Sequence, residues 1–368
     1  MNNYSEFILH LSLIDGVGPV AVEQTRHLLT RHSIAELYMF SAHDFVKNGI
    51  LPAISTLISA GLKNYALLEK ELMLIKKNSV QWTAIGSNNY PQLLASIYAP
   101  PAVLYWYGSH PDSFINNCAV VGSRQSTTYG ITVVDYLVES LVAHDITVVS
   151  GGAFGIDAAA HKKTVALNGK TMVVVGAGLL HPYPLPHKDL FQKIVDWGGS
   201  VVSIFALDTR PHAGNFPARN RVISGLSQAC VVVQAAEKSG ALITANHALE
   251  QGRSIFVVPG SIFEPLYKGC HLLVNNGASL MIDPADVIDS FGIKNKKNVH
   301  ITLGVEKSLP KDPLHMNIFK LCLKNSLSVD ELVVKTGVSL FEVQTALFEM
   351  QLTDHIKETF GGRWIAQV

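Results

Sequence analysis

The sequence predicts an α/β protein built on a Rossmann-like, doubly wound parallel sheet. From Cys118 onward, short valine-rich runs alternate with amphipathic segments. The predicted strands lie at 118–122, 146–150, 171–175, 200–205, 229–234 and 254–258. Continuous apolar runs are typical of strands whose sheet is covered by helices on both faces. The segments between them have apolar residues at helical spacing, and several end at a glycine, as helices commonly do.

The regions on either side of this pattern differ from it. Residues 1–75 have apolar residues at helical spacing and no strand alternation, which predicts a helical domain. The expected type of this domain is helix-hairpin-helix or SAM-like. The Rossmann-like domain is predicted over 76–292, with an extended aromatic connector at its start. Residues 293–313 are polar and end in prolines, which predicts a linker. Three short helical patterns and a terminal hairpin over 314–368 are typical of a winged helix.

Charge, cysteine spacing and the length of apolar runs limit which partners and which cellular compartment can be expected for this protein. The chain has 29 Lys and Arg against 29 Asp and Glu, so a polyanionic partner must be met by a local group of cations. The four cysteines are far apart and show no CxxC pair, which argues against a zinc site or a disulfide framework. No apolar run is long enough to span a bilayer, and no basic stretch precedes the first apolar residues. A cytoplasmic protein without membrane association is therefore expected.

The ends of the predicted strands carry residues suited to binding an anion. Ligands of doubly wound sheets bind at the carboxyl ends of the strands. The residues that follow the first, second and fourth strands there are Ser123, Arg124, Gly151, Gly152, Arg219 and Arg221. Glycine-rich turns at helix N-termini present N–H donors, and arginines fork onto phosphate oxygens. The alternative is that the glycines only permit close packing and the arginines are solvated. Several such loops at one sheet edge favour anion binding.

No catalytic residues can be assigned from the sequence. The GxxxxGK[ST] phosphate loop is absent, and GAGLLH at 176–181 lacks the third glycine of the dinucleotide fingerprint. Asp157 and His161 lie four residues apart on a predicted helix, where capping or a buried hydrogen bond explains them at least as well as catalysis. The sequence therefore predicts no cofactor, no metal site and no enzymatic activity.

Two flanking motifs leave their interpretation open. SLIDGVGP at 12–19 fits a phosphate-binding helix-hairpin-helix and equally fits an ordinary tight turn. The third predicted helix of the C-terminal region contains Glu342 and Glu349 and no lysine or arginine. A helix that enters a DNA groove is expected to carry cations, so this helix favours a role in protein contact or packing.

The order of motifs over residues 80–290 strongly resembles the DprA/Smf family, also called DNA-processing protein A. The motifs are GSR…YG at 122–130, SGGAFGIDAAAH at 150–161, FPARNRVISGLS at 216–227, SGALITANHALEQGR at 239–253 and VPGS at 258–261. The resemblance implies a non-enzymatic dimer that binds single-stranded DNA and loads the RecA recombinase during natural transformation. It implies DNA contacts at Ser123, Arg124, Gly151, Gly152, Lys188, Arg219 and Arg221.

Two positions depart from the family pattern, and two other functions remain as alternatives. Ile204 and Gln234 stand where members often have glutamate, which removes carboxylates without weakening polyanion binding. A nucleotide phosphoribohydrolase-like enzyme is disfavoured because such enzymes need a carboxylate beside a PGGxGT loop. Here PGS at 259–261 is followed by Ile262 and Phe263, and that loop is absent. A winged-helix regulator is disfavoured by the third helix without cations. A recombinase contact is expected near Leu242 and 272–274, with core packing as the alternative.

Overall fold

The computed structural model describes residues 3–293, 310, 312–353, 355–359 and 362–366. They belong to two compact units, one up to residue 295 and one from residue 296. Most of the predicted linker at 293–313 lies outside the described residues. Within these ranges no helix is both long and apolar enough to cross a membrane.

The first unit begins with six helices. They are α1 (Tyr4–Ser12), α2 (Pro19–His27), α3 (Ile34–Met39), α4 (Ala42–Lys47), α5 (Pro52–Gly61) and α6 (Tyr65–Lys77). Asn3, Ser33 and Ser41 each start a helix with a capping box, in which the cap side chain accepts the backbone N–H of an acidic residue three positions on, and that acidic side chain accepts the backbone N–H of the cap residue. Proline is the first residue of α2 and α5, where its missing N–H costs nothing. The helix-hairpin-helix or SAM-like assignment stays a prediction.

A nine-stranded sheet forms the centre of the same unit. Its strands are β1 (Gln81–Ala84), β2 (Val103–Gly108), β3 (Asn117–Val121), β4 (Thr147–Ser150), β5 (Thr171–Val174), β6 (Ser200–Ser203), β7 (Ala229–Val232), β8 (Ser254–Val257) and β9 (Ser279–Leu280). Their order across the sheet is β1-β2-β6-β5-β4-β3-β7-β8-β9. The strands from β6 to β9 in that order are parallel. The predicted α/β fold with a mostly parallel sheet is confirmed.

Helices cover both faces of this sheet. They are α7 (Gln92–Ala95), α8 (Thr128–Ala143), α9 (Ile156–Ala166), α10 (Lys188–Asp196), α11 (Asn215–Gly225), α12 (Gly240–Glu250), α13 (Lys268–Asn275) and α14 (Pro284–Asp289). Successive side chains of a strand point to opposite faces. Accordingly Cys118 and Val120 of β3 belong to one cluster of buried side chains, and Ala119 and Val121 belong to the other. Burial on both faces explains why these strands are continuously apolar.

The stretch interpreted as an extended connector instead supplies two strands of the sheet. β1 pairs with β2 in antiparallel register, with Trp82 opposite Tyr105. β2 pairs antiparallel with β6 and so extends the sheet at one edge. Aromatic residues favour strands. The first four residues of β2 are all buried, so β2 lacks the alternation by which a half-exposed strand is recognised.

The second unit contains three helices and a small sheet within its described residues. Its elements are α15 (Pro313–Lys324), β10 (Leu327–Ser328), α16 (Val329–Thr336), α17 (Leu340–Leu352), β11 (Ile356–Thr359) and β12 (Arg363–Ala366). The strands are antiparallel in the order β10-β12-β11. Ile318, Leu332 and Leu347 pack in its core, whereas Phe341 and Phe348 of α17 are exposed. The winged-helix assignment stays a prediction.

Candidate nucleic-acid interface

A crevice of about 710 Å³ lies beyond the carboxyl ends of β3 and β7. From β3 the chain adds β4, β5 and β6 on one side, and then returns to add β7, β8 and β9 on the other. The loops after β3 and β7 therefore diverge and leave a gap, which is where doubly wound sheets bind ligands. The crevice is lined by the loop after β3, by α11 and by the start of α12.

Arg124 is an exposed cation in this lining. Its guanidinium carbon lies over the Phe216 ring, 5.7 Å from the ring centroid, which is a cation–π distance. Among the described residues no carboxylate forms an ion pair with Arg124. Because its charge is not neutralised by the protein, Arg124 is available to an anion.

The backbone that carries Ser123 and Arg124 is held in place by local contacts. The Ser123 hydroxyl accepts the Gln125 N–H and donates to the Gln125 carbonyl, each at 3.1 Å. The Ser123 carbonyl accepts the N–H of Ile156 at 3.1 Å. A Cβ at Gly155, where φ is +77°, would lie 2.2 Å from that carbonyl oxygen, so glycine is required there. Ser123 therefore orients the loop that presents Arg124.

The Gly151–Gly152 turn after β4 is fixed from within by Asp157. Its Oδ2 accepts the N–H of Gly151 at 3.2 Å and that of Ala153 at 3.3 Å. Both N–H groups are therefore hydrogen-bonded within the protein, and Gly151 does not present the free N–H donor that the sequence predicts. The turn instead allows a ligand to approach its backbone closely. A Cβ at Gly151 would lie 2.6 Å from Nη1 of Arg219, and a Cβ at Gly152 would lie 2.9 Å from the Phe191 ring.

Arg219 lies beneath the crevice and is only 4% exposed. Its Nη1 donates to the carbonyls of Gly151 and Val174, and its Nε donates to Asn220 Oδ1 at 3.1 Å. Burial lowers the pKa of Arg219 to about 10 against the opposing effect of Asp157, so the side chain stays charged at neutral pH. Nη2 has no hydrogen-bond partner among the described residues. Arg219 thus braces β4 and β5 while one edge of its guanidinium remains available.

Two further predicted contacts have different positions. Arg221 follows Arg219 by two residues on α11, which is a rotation of about 200° around the helix. Its Nη2 donates to the carbonyls of Tyr98 and Ala99, and it does not line the crevice. Lys188, which also lies outside the lining of the crevice, is exposed at the start of α10, next to His187. The His187 ring donates from Nδ1 to the Gly152 carbonyl at 2.9 Å, which brings Lys188 near the Gly151–Gly152 turn.

Three aromatic residues that the sequence analysis did not select surround Arg124. Phe154 is 48% exposed, Tyr183 is 44% exposed and Phe216 is half-buried. The Tyr183 and Phe216 ring centroids are 5.7 Å apart, and all three side chains line a small recess together with Arg124. Exposed rings beside a cation can stack on unpaired bases. An aromatic residue close after a glycine, in two loops and at the start of α11, was the signal that could have identified them.

Asp157 and His161 do not form a catalytic pair. His161 is fully buried, with Nδ1 2.7 Å from the Thr171 hydroxyl oxygen. Burial lowers the pKa of His161 to about 3, so the ring is neutral in the folded protein. Burial raises the pKa of Asp157, and Arg219 and the bonded N–H groups oppose this rise. Capping and core packing therefore account for both residues. In the described part of the chain, no group of three or more potential metal ligands is found.

Fold and site together define a Rossmann-like α/β protein with an unpaired cation and exposed aromatic rings at the switch point of its sheet. The family model for DNA recombination-mediator protein A matches residues 81–292, which is more than half of the chain. The chain therefore belongs to the DprA/Smf family of DNA-processing proteins, as its motifs predict.

Similar proteins support this assignment over a longer stretch. Protein Smf of Escherichia coli (strain K12) is 34% identical over 302 residues, which cover 80% of this chain and 80% of that protein. The X-ray structure of DNA processing protein A from Streptococcus pneumoniae superposes with a TM-score of 0.67 at 30% identity, covering 78% of this chain and 98% of that one. A DNA processing protein A structure from Helicobacter pylori, described for its single-stranded DNA binding mode, gives a TM-score of 0.52 at 26% identity, covering 57% and 95% respectively.

Proposed function

We propose that this protein binds single-stranded DNA at the crevice after β3 without altering it chemically. The observation that carries the proposal is Arg124, an exposed cation without an ion pair among the described residues, beside the exposed rings of Phe154 and Tyr183 and the half-buried ring of Phe216. The single-stranded DNA binding mode described for the Helicobacter pylori relative supports it.

Charge is the first argument, because the whole chain carries no net charge. Attraction for phosphates must therefore come from a few local cations. Arg124 and Lys188 are the proposed direct phosphate contacts, and Nη2 of Arg219 is a third donor beneath them. The loops of Ser123 and of Gly151–Gly152 provide the backbone surface between these side chains. Arg221 is not included in the proposed contact set, because its Nη2 is bonded to the loop at 98–99.

The aromatic rings are the argument for a single strand. Bases of a duplex are already stacked on one another, so only an unpaired base can stack on exposed protein rings. Phe154, Tyr183 and Phe216 supply such rings within reach of Arg124. Asp157 is the acidic residue among those lining the crevice, and it is buried and hydrogen-bonded. The residues that line the crevice therefore include no solvent-facing carboxylate, which a phosphoribohydrolase would need.

Titration of fluorescent single-stranded and duplex DNA with the purified protein tests this function. Single strands are expected to bind more tightly, with a steep dependence on salt. A single-strand contact contributes about −0.7 to the slope of log affinity against log salt, so three to five contacts give roughly −2 to −3.5. Equal affinity for the duplex, or an affinity that does not change with salt, would contradict the proposal.

We further propose that a homodimer of this chain delivers the bound strand to RecA recombinase, in the cytoplasm. The expected contact residues are only partly suited to this role. Leu272 is 46% exposed, Leu242 and Val274 are half-buried, and Leu273 packs in the core. The buried side chain of Leu273 therefore cannot take part in the expected contact with RecA. Leu272 is the exposed apolar residue of the expected contact surface.

A strand-exchange assay with RecA on DNA coated by single-strand-binding protein tests delivery. Addition of this protein is expected to stimulate exchange, because a loader lets the recombinase displace the coat. The Arg124→Ala variant should fail to stimulate, since it cannot hold the strand. Inhibition at every concentration would exclude loading, and shortened DNA on a gel would show that the protein is a nuclease.

A further inference from the structure

Helix α6 makes a buried polar contact with a loop that leads to the crevice. Glu71 on α6 is only 4% exposed. Its Oε1 accepts the backbone N–H of Leu207 at 2.8 Å, and its carboxylate is also hydrogen-bonded to the Tyr105 side chain of β2. A buried carboxylate loses its hydration and needs such donors in return. This contact therefore joins the helices before β1 to the loop after β6.

The neighbouring residue on α6 reaches the same loop. Lys70 Nζ donates to Asp208 Oδ2 at 3.2 Å, and His181 Nε2 donates to Asp208 Oδ1 at 3.0 Å. Asp208 follows Leu207 in the loop after β6, whereas His181 belongs to the loop after β5. Such exposed ion pairs contribute little free energy. They nevertheless show that α6 contacts the loop after β6, and that Asp208 of this loop also contacts the loop after β5.

The segments 176–187 and 204–214, here called the paired loops, are bonded to each other through their backbones. Gly178 N–H donates to the Thr209 carbonyl at 2.9 Å, and Leu180 N–H donates to the Leu207 carbonyl at 3.2 Å. A Cβ at Gly178 would lie 2.2 Å from the Ala206 carbonyl oxygen, so the two backbones are in direct contact. A constraint on Leu207 therefore acts on both loops.

The paired loops carry one whole side of the candidate DNA site. The first contains Tyr183 and ends at His187, which precedes Lys188. The second leads directly into α11, which contains Phe216 and Arg219. Neither Lys70 nor Glu71 lines the crevice. Helix α6 thus contacts the supports of these side chains from outside the site.

We propose that Glu71 is a positioning residue for DNA binding. Through Leu207 it holds the paired loops at the distance from Arg124 that lets one strand contact both sides of the crevice. The helices before β1 thereby set single-strand affinity without touching DNA. The expected effect of Glu71 on DNA affinity rests on the proposed function, whereas the contact between Glu71 and the paired loops can be tested independently.

The test compares three variants of the full chain by hydrogen–deuterium exchange and by single-strand titration. Glu71→Leu leaves the Leu207 N–H buried without an acceptor, so exchange in the paired loops should rise and affinity should fall, each by about ten-fold. Glu71→Gln keeps an oxygen that accepts the Leu207 N–H, and should retain affinity within about two-fold of the wild type. Glu69→Leu, an exposed carboxylate on the same helix, is the matched control and should change neither.

Each outcome bears on a different step. Faster exchange in the paired loops with unchanged affinity overturns the positioning role. Unchanged exchange overturns the contact itself. If the wild type binds no single strands, the proposed function is wrong, and exchange alone decides whether Glu71 holds the loops. Should Glu71→Leu not fold, Glu71→Ala replaces it, because it removes the same acceptor of the Leu207 N–H. Faster exchange with weaker binding is again expected there, and wild-type values for both would reject the proposal.

Discussion

Replacing Arg124 with alanine is expected to weaken single-strand binding by about 10- to 100-fold without affecting the fold. The loss of one charge-assisted hydrogen bond to phosphate is worth roughly 1.5–3 kcal/mol. Arg124 is exposed, and its contact with Phe216 is an exposed cation–π pair worth about 0.5–1 kcal/mol. Thermal melting should therefore change little. Fluorescence titration at several salt concentrations measures the effect on affinity.

Two other variants show which kind of contact Arg124 makes. Arg31→Ala removes an exposed arginine that does not line the crevice, and should leave affinity unchanged. Phe154→Ala should weaken binding by about 1–3 kcal/mol through lost base stacking, with the salt slope unaltered. Arg124→Ala should in contrast reduce the magnitude of the slope by about 0.7, the value for one phosphate contact on a single strand. If Arg124→Ala behaves like Arg31→Ala, the crevice is not the DNA site.

The loop geometry explains why part of the site could be predicted from the sequence. Parallel strands all end at one sheet edge, so residues directly after them must lie near one another. Ser123, Arg124 and the Gly151–Gly152 turn come directly after β3 and β4, and the structure places all of them at that edge. Arg221 lies within a helix, where a shift of two residues reverses the direction of a side chain.

Other features depend on contacts that a sequence pattern does not contain. Asp157 occupies the N–H groups of the turn before it, and only the loop conformation brings its carboxylate there. Gln234 stands where members of the family often have a carboxylate. Its buried amide instead accepts the Thr127 N–H at 3.1 Å and donates to the Thr127 hydroxyl at 2.8 Å. Through these two bonds glutamine stabilises the start of α8 in this chain, where a carboxylate could only accept from the Thr127 N–H and hydroxyl.

The largest loss of stability is expected from Arg219→Ala. The change leaves Asp157 buried without its cation and the carbonyls of Gly151 and Val174 without their donor. Leaving a buried acceptor without its donor costs about 1–3 kcal/mol, and two carbonyls lose their donor here while a buried carboxylate loses a nearby positive charge. Urea denaturation measures the free energy of unfolding of the variant and of the wild type. Arg221→Ala, on the same helix but half-buried, is the matched control and should cost less.

The pH dependence of that loss identifies Asp157 as its cause. Arg219 opposes the rise that burial produces in the pKa of Asp157, so this pKa should rise further in the variant. The folded variant then binds a proton more tightly than the unfolded chain, and its stability falls as pH rises through the interval between the two pKa values. The destabilisation should therefore be larger at neutral pH than near pH 4, and Asp157→Asn in the same background should remove the difference. A variant that keeps wild-type stability while losing DNA affinity would show that Arg219 acts only as a DNA contact and does not brace the sheet.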